Sequence, residues 1–203
     1  MKIVSPSFTI LTEINGSDVL KKLELIGRVC YKSEDKITDE SAREFITRII
    51  KNGHEAIIEH FSISVKVVCD RGVSHEIVRH RIASYAQEST RYCNYNKEKF
   101  GKEITVIEPI GLTKEQYCHW VNACVVAEAQ YIRMLEAGAS PQMARSVLPN
   151  SLKTEIIITM NLREWRHFFR LRAAPAAHPQ MQEIVKPILK KFKELIPVVF
   201  DDL

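Results

Sequence analysis

Residues 79–95, RHRIASYAQESTRYCNY, hold the densest chemistry in the chain: Arg79, His80 and Arg81 are adjacent, seven residues follow, and then come Ser89 and Arg91. Neighbouring cations repel one another unless an anion neutralises them, and guanidinium forks match phosphate oxygens two at a time. A serine hydroxyl and nearby backbone N–H groups would complete a phosphate nest. The competing reading is a solvated basic loop. A second cluster sits in NLREWRHFFRLR, residues 161–172. At roughly 100° per residue, Trp165, Phe168, Phe169 and Arg172 share one helical face, and Arg163, Arg166, His167 and Arg170 the other. An unpaired guanidinium on an apolar stripe is disfavoured, so Arg172 is either ion-paired in the core or aimed at a ligand. The basic face opposite reads as solvated surface. Arg145, in ARSVLP, has no distinguishing context of its own.

Several chemistries are excluded by spacing. HEAIIEH, residues 54–60, looks like a zinc-protease helix, but position 58 is Ile58, so its two histidines miss the i, i+4 face and no metal site is expected. There is no G-x-G-x-x-G and no Walker loop, so a nucleotide must be held by side chains and helix ends. The five cysteines are scattered with no C-x-x-C pair, which argues against a disulfide framework and for a reducing, cytoplasmic setting. A net charge of +4 permits an anionic ligand without demanding nucleic acid. No signal peptide and no membrane span are expected.

These residues need a scaffold, and the composition supplies one: 45% hydrophobic and 27% charged residues over 203 positions fit a single globular domain, 1–203. Ser17 is expected to cap a helix with Val19, Leu23, Ile26 and Cys30 on its buried face. A second helix ends at Gly53. Phe61, Ile63, Val65 and Val67 alternate with polar residues as in a half-buried strand. Ser74 is expected to cap a short helix carrying His75–Arg81, with 84–96 a loop. EITVIEP and TEIIITM read as strands. Thr113 and Gln116 form a capping box for a helix reaching Gly138, Pro141 opens a short helix, and Asn161 with Glu164 starts the basic-aromatic one. Pro179 opens the last helix, which Pro187 should kink. Without strict β-α-β alternation, the class is α+β: a mixed, largely antiparallel sheet with long packed helices.

RHRIASYAQESTRY resembles the signature of flavin-dependent thymidylate synthases, R-H-R, seven residues, serine. GHEAIIEH, ARSVLPNSLKT and NLREWRHFFRLRA resemble further blocks of that family, in family order. The resemblance implies conversion of dUMP to dTMP, with methylenetetrahydrofolate as one-carbon donor and NADPH as reductant through bound FAD. It implies a homotetramer whose active sites are shared between subunits, with no nucleic acid or membrane partner. By the same resemblance FAD would meet His54, Arg79, His80, Arg81, Gln87, Asn161, Arg163 and His167. The nucleotide dUMP would meet Glu76, Arg79, Gln87, Glu88, Ser89, Arg91, Arg145 and Arg172, with Arg172 the catalytic group that polarises uracil. Glu76 stands where relatives often carry glutamine, and Ala56 where many carry a hydroxyl. The rival reading is a phosphate-contacting nucleic-acid module, with Tyr85, Tyr92 and Tyr95 stacking on bases.

Overall fold

In a computed structural model describing residues 1–203, the chain runs β1 (Lys2–Val4), β2 (Ser7–Ile10), α1 (Gly16–Tyr31), α2 (Ser41–Lys51), β3 (Ser62–Asp70), α3 (Arg71–Ile77) and β4 (Ser84–Gln87). It continues through β5 (Thr105–Ile107), α4 (Lys114–Glu136), α5 (Pro141–Ala144), β6 (Lys153–Asn161), α6 (Leu162–Arg172) and α7 (Pro179–Leu195). The class is α+β, as expected. An antiparallel sheet has the order β2-β3-β6-β4, and β1 pairs with β5 in parallel, Ile3 opposite Val106. Alternation explains the two long strands: Ile63, Val65, Val67 and Cys69 of β3 face inward, as do Thr154, Ile156, Ile158 and Met160 of β6.

Packing divides the chain into two compact units, neither continuous in sequence. One comprises 1–7, 67–79 and 85–157, the other 8–66, 80–84 and 158–203. The first unit is organised around Tyr95, Ile104, Val106, Cys124, Tyr131 and Leu152. The expected capping box is present there: the Thr113 hydroxyl accepts the Gln116 N–H, and the Gln116 side chain accepts the Thr113 N–H. The second unit is built on Trp165, which stacks on Phe169 at 5.5 Å and meets Phe192 edge-on at 5.1 Å. The Trp165 indole N–H donates to the Ile63 carbonyl at 3.1 Å, so this large ring is buried without an orphaned donor. Gly27 lets α1 approach α2, because a Cβ there would lie 2.5 Å from the Phe45 ring.

Four expectations shift. Asn15, not Ser17, caps α1, its side-chain oxygen accepting the Ser17 and Asp18 N–H groups. The buried face is therefore Val19, Leu20, Leu23, Glu24 and Gly27, and Cys30 is exposed. Asp70 caps α3 through the Val73 N–H, which starts that helix earlier and ends it at Ile77, before Arg79–Arg81. Part of the expected 84–96 loop is the strand β4. Pro187 lies inside α7, where the sequence places it.

The fourth shift concerns Arg166, assigned above to a solvated face. It is buried, donates through both Nη atoms to the Asp202 carboxylate at 2.6 and 2.7 Å, and reaches Glu55 at 3.2 Å and the Val199 carbonyl. The segment after α7 folds back over α6, so a position that faces outward in an isolated helix becomes interior. Arg166→Ala would remove a buried two-pronged pair and the donor to the Val199 carbonyl, while Arg170 still faces Glu55 and Asp202, and should cost about 2–3 kcal/mol of unfolding free energy. Arg170→Ala, on an exposed side chain, should cost less than about 1 kcal/mol. Denaturant titration of the two variants checks the contrast.

Candidate functional site

Helix α6 begins where β6 ends, with the Asn161 side-chain oxygen accepting the Glu164 N–H at 2.9 Å. That cap leaves the Asn161 carboxamide nitrogen as a donor and turns Arg163, Glu164 and His167 onto a cavity of about 480 Å³, which Glu55, Glu59 and Ile82 also line. Its size suits part of a nucleotide cofactor. Arg163 spans it, donating to Glu59 at 2.6 Å with Glu55 3.7 Å from its Nε.

Beside this wall His80 is buried, edge-on to the Phe168 ring at 4.8 Å. Arg172 Nε donates to His80 Nε2 at 3.1 Å. Only an unprotonated nitrogen accepts, so the His80 proton sits on Nδ1, 3.4 Å from Glu164 Oε1. Burial, reinforced by the Arg172 and His167 charges, lowers the His80 pKa to about 4. Burial pushes Glu164 upward against the opposing pull of His167. His80 is therefore neutral near pH 7, and the Arg172 guanidinium donates to its imidazole at the edge of the apolar stripe. Ligand atoms of His80, Glu164 and His167 lie within 4.8 Å of one another. Zinc at ~2.1 Å would need them about 3.4 Å apart, and Arg172 already holds one His80 nitrogen, so the trio is not arranged as a closed metal site.

Of the remaining expected contacts, all but His54 and Arg81 fall in the first unit. Gln87 donates its amide to the Ser74 and Thr154 hydroxyls at 2.9 and 3.3 Å, and Ser74 lies inside α3 rather than capping it. Ser89 Oγ accepts the Arg91 N–H at 3.3 Å, and no base contacts it. Arg145 donates to the buried Thr90 hydroxyl at 3.3 Å, and the Arg91 guanidinium lies 5.5 Å from the Tyr92 ring centroid. Arg79, Arg81 and Arg91 are exposed and form no ion pair with any carboxylate of the chain, whereas Arg163, Arg166 and Arg170 all do. His54 does not line the α6 cavity; its Nδ1 is 3.2 Å from the Tyr31 hydroxyl in a separate one. Glu76 is half-buried in α3.

Glu88 is held more firmly than its sequence suggests. Tyr95 donates to Oε1 at 2.9 Å and Lys153 to Oε2 at 3.0 Å, while its backbone N–H donates to the Glu155 carbonyl and its carbonyl accepts from Arg71. Burial together with the Glu88 charge pushes the Tyr95 phenol far up. Burial pulls Lys153 down, but its bonds to Glu155 and Glu88 outweigh that and raise it. Tyr95 and Lys153 lie outside the signature, and nothing in their local sequence marks them. Tyr95 is also too buried to stack on a base, and Tyr85 spends its hydroxyl on the Ile77 carbonyl, so only Tyr92 of the three tyrosines is exposed.

The fold is shared with a solved structure. The crystal structure of a UMP/dUMP methylase, PolB from Streptomyces cacaoi bound with 5-Br dUMP, superposes with a TM-score of 0.81, covering 99% of this chain and 96% of that one at 23% identity. Residues 12–198 match the model of the thymidylate synthase complementing protein family, and the chain belongs to that family. A flavin-dependent thymidylate synthase of Pyrococcus abyssi is 35% identical over 172 residues, 83% of this chain and 70% of the relative. One of Geobacter sulfurreducens is 32% identical over 185 residues, 88% and 79% of the two chains.

Two outcomes test the geometry. Tyr95→Phe leaves Glu88 Oε1 without a donor and should lower the unfolding free energy by about 1–2 kcal/mol. In a cycle with Glu88→Ala the two losses should couple by more than about 0.5 kcal/mol, and simple additivity would show that the strut does not exist. For His80, the unfolded chain binds a proton below its ordinary pKa of 6.5 that the folded protein refuses until about 4, so stability should fall as pH drops through that window. His80→Gln, which can still accept from Arg172, should flatten that part of the Tm profile; an unchanged slope would mean that His80 does not set it.

Proposed function

We propose that the protein is a flavin-dependent thymidylate synthase that methylates dUMP to dTMP, with residues 1–203 acting as one catalytic domain. Methylenetetrahydrofolate is the one-carbon donor and NADPH the reductant. The protein works as a homotetramer in which each site draws residues from more than one subunit. The observation that carries the reading is the division of the arginines: those on the signature segment have no carboxylate partner, which suits them to a ligand phosphate.

The α6 cavity fits FAD by its donors. Asn161, Arg163 and His167 would hold it there, with Arg79, His80, Arg81, Gln87 and His54 contributing as the family resemblance implies. When bound, the flavin supplies hydride for the reduction that turns a transferred methylene into a methyl group. On the nucleotide side, Ser89, Arg91 and Arg145 bind and orient the dUMP phosphate, and Gln87 and Glu76 complete the surroundings. Ser89 acts as a hydrogen-bond donor, since a serine with no base in contact is a weak nucleophile. Arg172 faces the uracil ring and stabilises the negative charge that develops on it. Neutral His80 positions the guanidinium by accepting from its Nε. Glu88, its oxygens committed to Tyr95 and Lys153, supports the Ser89–Arg91 turn from behind rather than touching dUMP with its carboxylate.

The purified protein should be yellow and form dTMP from dUMP. Arg172→Ala should keep the fold and the flavin but raise the reaction barrier by about 3 kcal/mol, a loss of roughly a hundredfold in turnover. Turnover within a few-fold of the parent would remove Arg172 from the chemistry. Preferential methylation of UMP would reassign the substrate.

A further inference from the structure

A second cavity in the α6-containing unit differs in the sign of its walls. It has a volume of about 430 Å³, and Arg28, Lys36, Arg48 and His54 line it beside Tyr31 and Phe45. No carboxylate lines it, whereas Glu55, Glu59 and Glu164 line the cavity on α6. Arg28 is already satisfied: its Nε and Nη2 donate to Glu24 Oε1 at 3.1 and 2.8 Å, and the other Glu24 oxygen accepts the Ser41 hydroxyl at 2.8 Å. Its guanidinium lies 4.6 Å from the Phe45 ring centroid, making a rigid floor. Lys36 and Arg48 are different. Neither forms an ion pair with any carboxylate of the chain, and Arg48 rests only against Phe45, at 5.6 Å.

Two uncompensated cations around one concavity create a positive potential that favours an anion, and the Arg48 fork suits a carboxylate or a phosphate. The place of this cavity in the chain is informative too. His54 lines it and the next residue, Glu55, lines the α6 cavity, so the two meet across a single peptide step.

We infer that this cavity binds the anionic tail of a co-substrate whose reactive ring reaches the flavin. The inference rests on the flavin-dependent reading given above. Its shared chemistry is a carboxylate- or phosphate-bearing tail, and two co-substrates carry one: methylenetetrahydrofolate through its glutamyl carboxylates, and NADPH through its 2′-phosphate. FAD has its own guanidinium, Arg163, in the other cavity.

The test uses holoenzyme carrying Lys36→Ala, Arg48→Ala or both. The two side chains are exposed and lie outside the signature and the α6 cavity, so fold and flavin content are expected to be unchanged. Each lost cation should raise KM for one co-substrate about five- to tenfold, the scale of an exposed charge-assisted hydrogen bond. Turnover number and KM for dUMP should stay put, and Arg48→Lys should recover part of the loss. If the tail is the glutamyl group, the rise is larger for the triglutamate than the monoglutamate, and NADPH is unaffected. If it is the 2′-phosphate, the NADPH KM climbs towards that of NADH, which itself does not move. KM values for both co-substrates within twofold of the parent, in an enzyme that makes dTMP, would overturn the inference. A parent protein that binds no flavin and makes no dTMP would instead overturn the flavin-dependent reading, and this inference with it.

Discussion

The Arg172–His80 hydrogen bond sets the electrostatics of the α6 wall. A guanidinium can only donate, so it dictates which imidazole nitrogen is bare and thereby directs the remaining proton at Glu164. Every other feature of the cluster is consistent with that choice. His80 is buried against Phe168, which discourages a second proton, and Glu164 is buried enough to tolerate a neutral donor beside it. The arrangement fixes the direction of the Arg172 guanidinium through a neutral acceptor. A preorganised donor in a partly dry setting is what developing negative charge on a substrate requires.

The same logic separates the arginines of the whole chain. Arg28 and Arg166 are buried and closed by Glu24 and by Asp202 with Glu55, and they hold elements together. Arg163 and Arg170 are exposed and closed by glutamates on the cavity rim. Arg79, Arg81 and Arg91 are exposed and have no acidic partner in the chain, which leaves them open to an anion from outside. The fold thus uses one residue type for cohesion in one place and for recognition in another. The difference lies in whether a carboxylate was placed within reach.

Much of this was legible before any coordinates. The strands 62–70 and 153–161 followed from alternation, the α4 box from Thr113 and Gln116, and the α6 start from Asn161, because each depends on local spacing. What stayed hidden depends on residues distant in sequence. Arg166 looks solvated on a helical wheel because Asp202, 36 positions away, is invisible there. Glu88 gives no sign in the sequence of being held by Lys153, 65 positions on. The α3 cap was misplaced for a smaller reason: Ser74 and Asp70 are both good caps, and only the strand end at Asp70 decides between them. The paired-arginine face and the split of the basic residues between cavities are tertiary facts. No periodicity encodes them.

Asn161 is at once the last residue of β6 and the cap of α6, with no connecting residue between the ladder and the helix. Strand positions alternate faces with a period of two, while helix positions advance by about a quarter turn each. Losing or gaining one residue in β6 would therefore flip the strand's inward set and swing Arg163, His167 and Arg172 away from their present bearings together. The cavity wall is in effect indexed to the strand like the teeth of a gear. Insertions should be tolerated in segments such as 92–103 or 173–178, whereas the β6–α6 junction should accept a changed side chain but not a changed count.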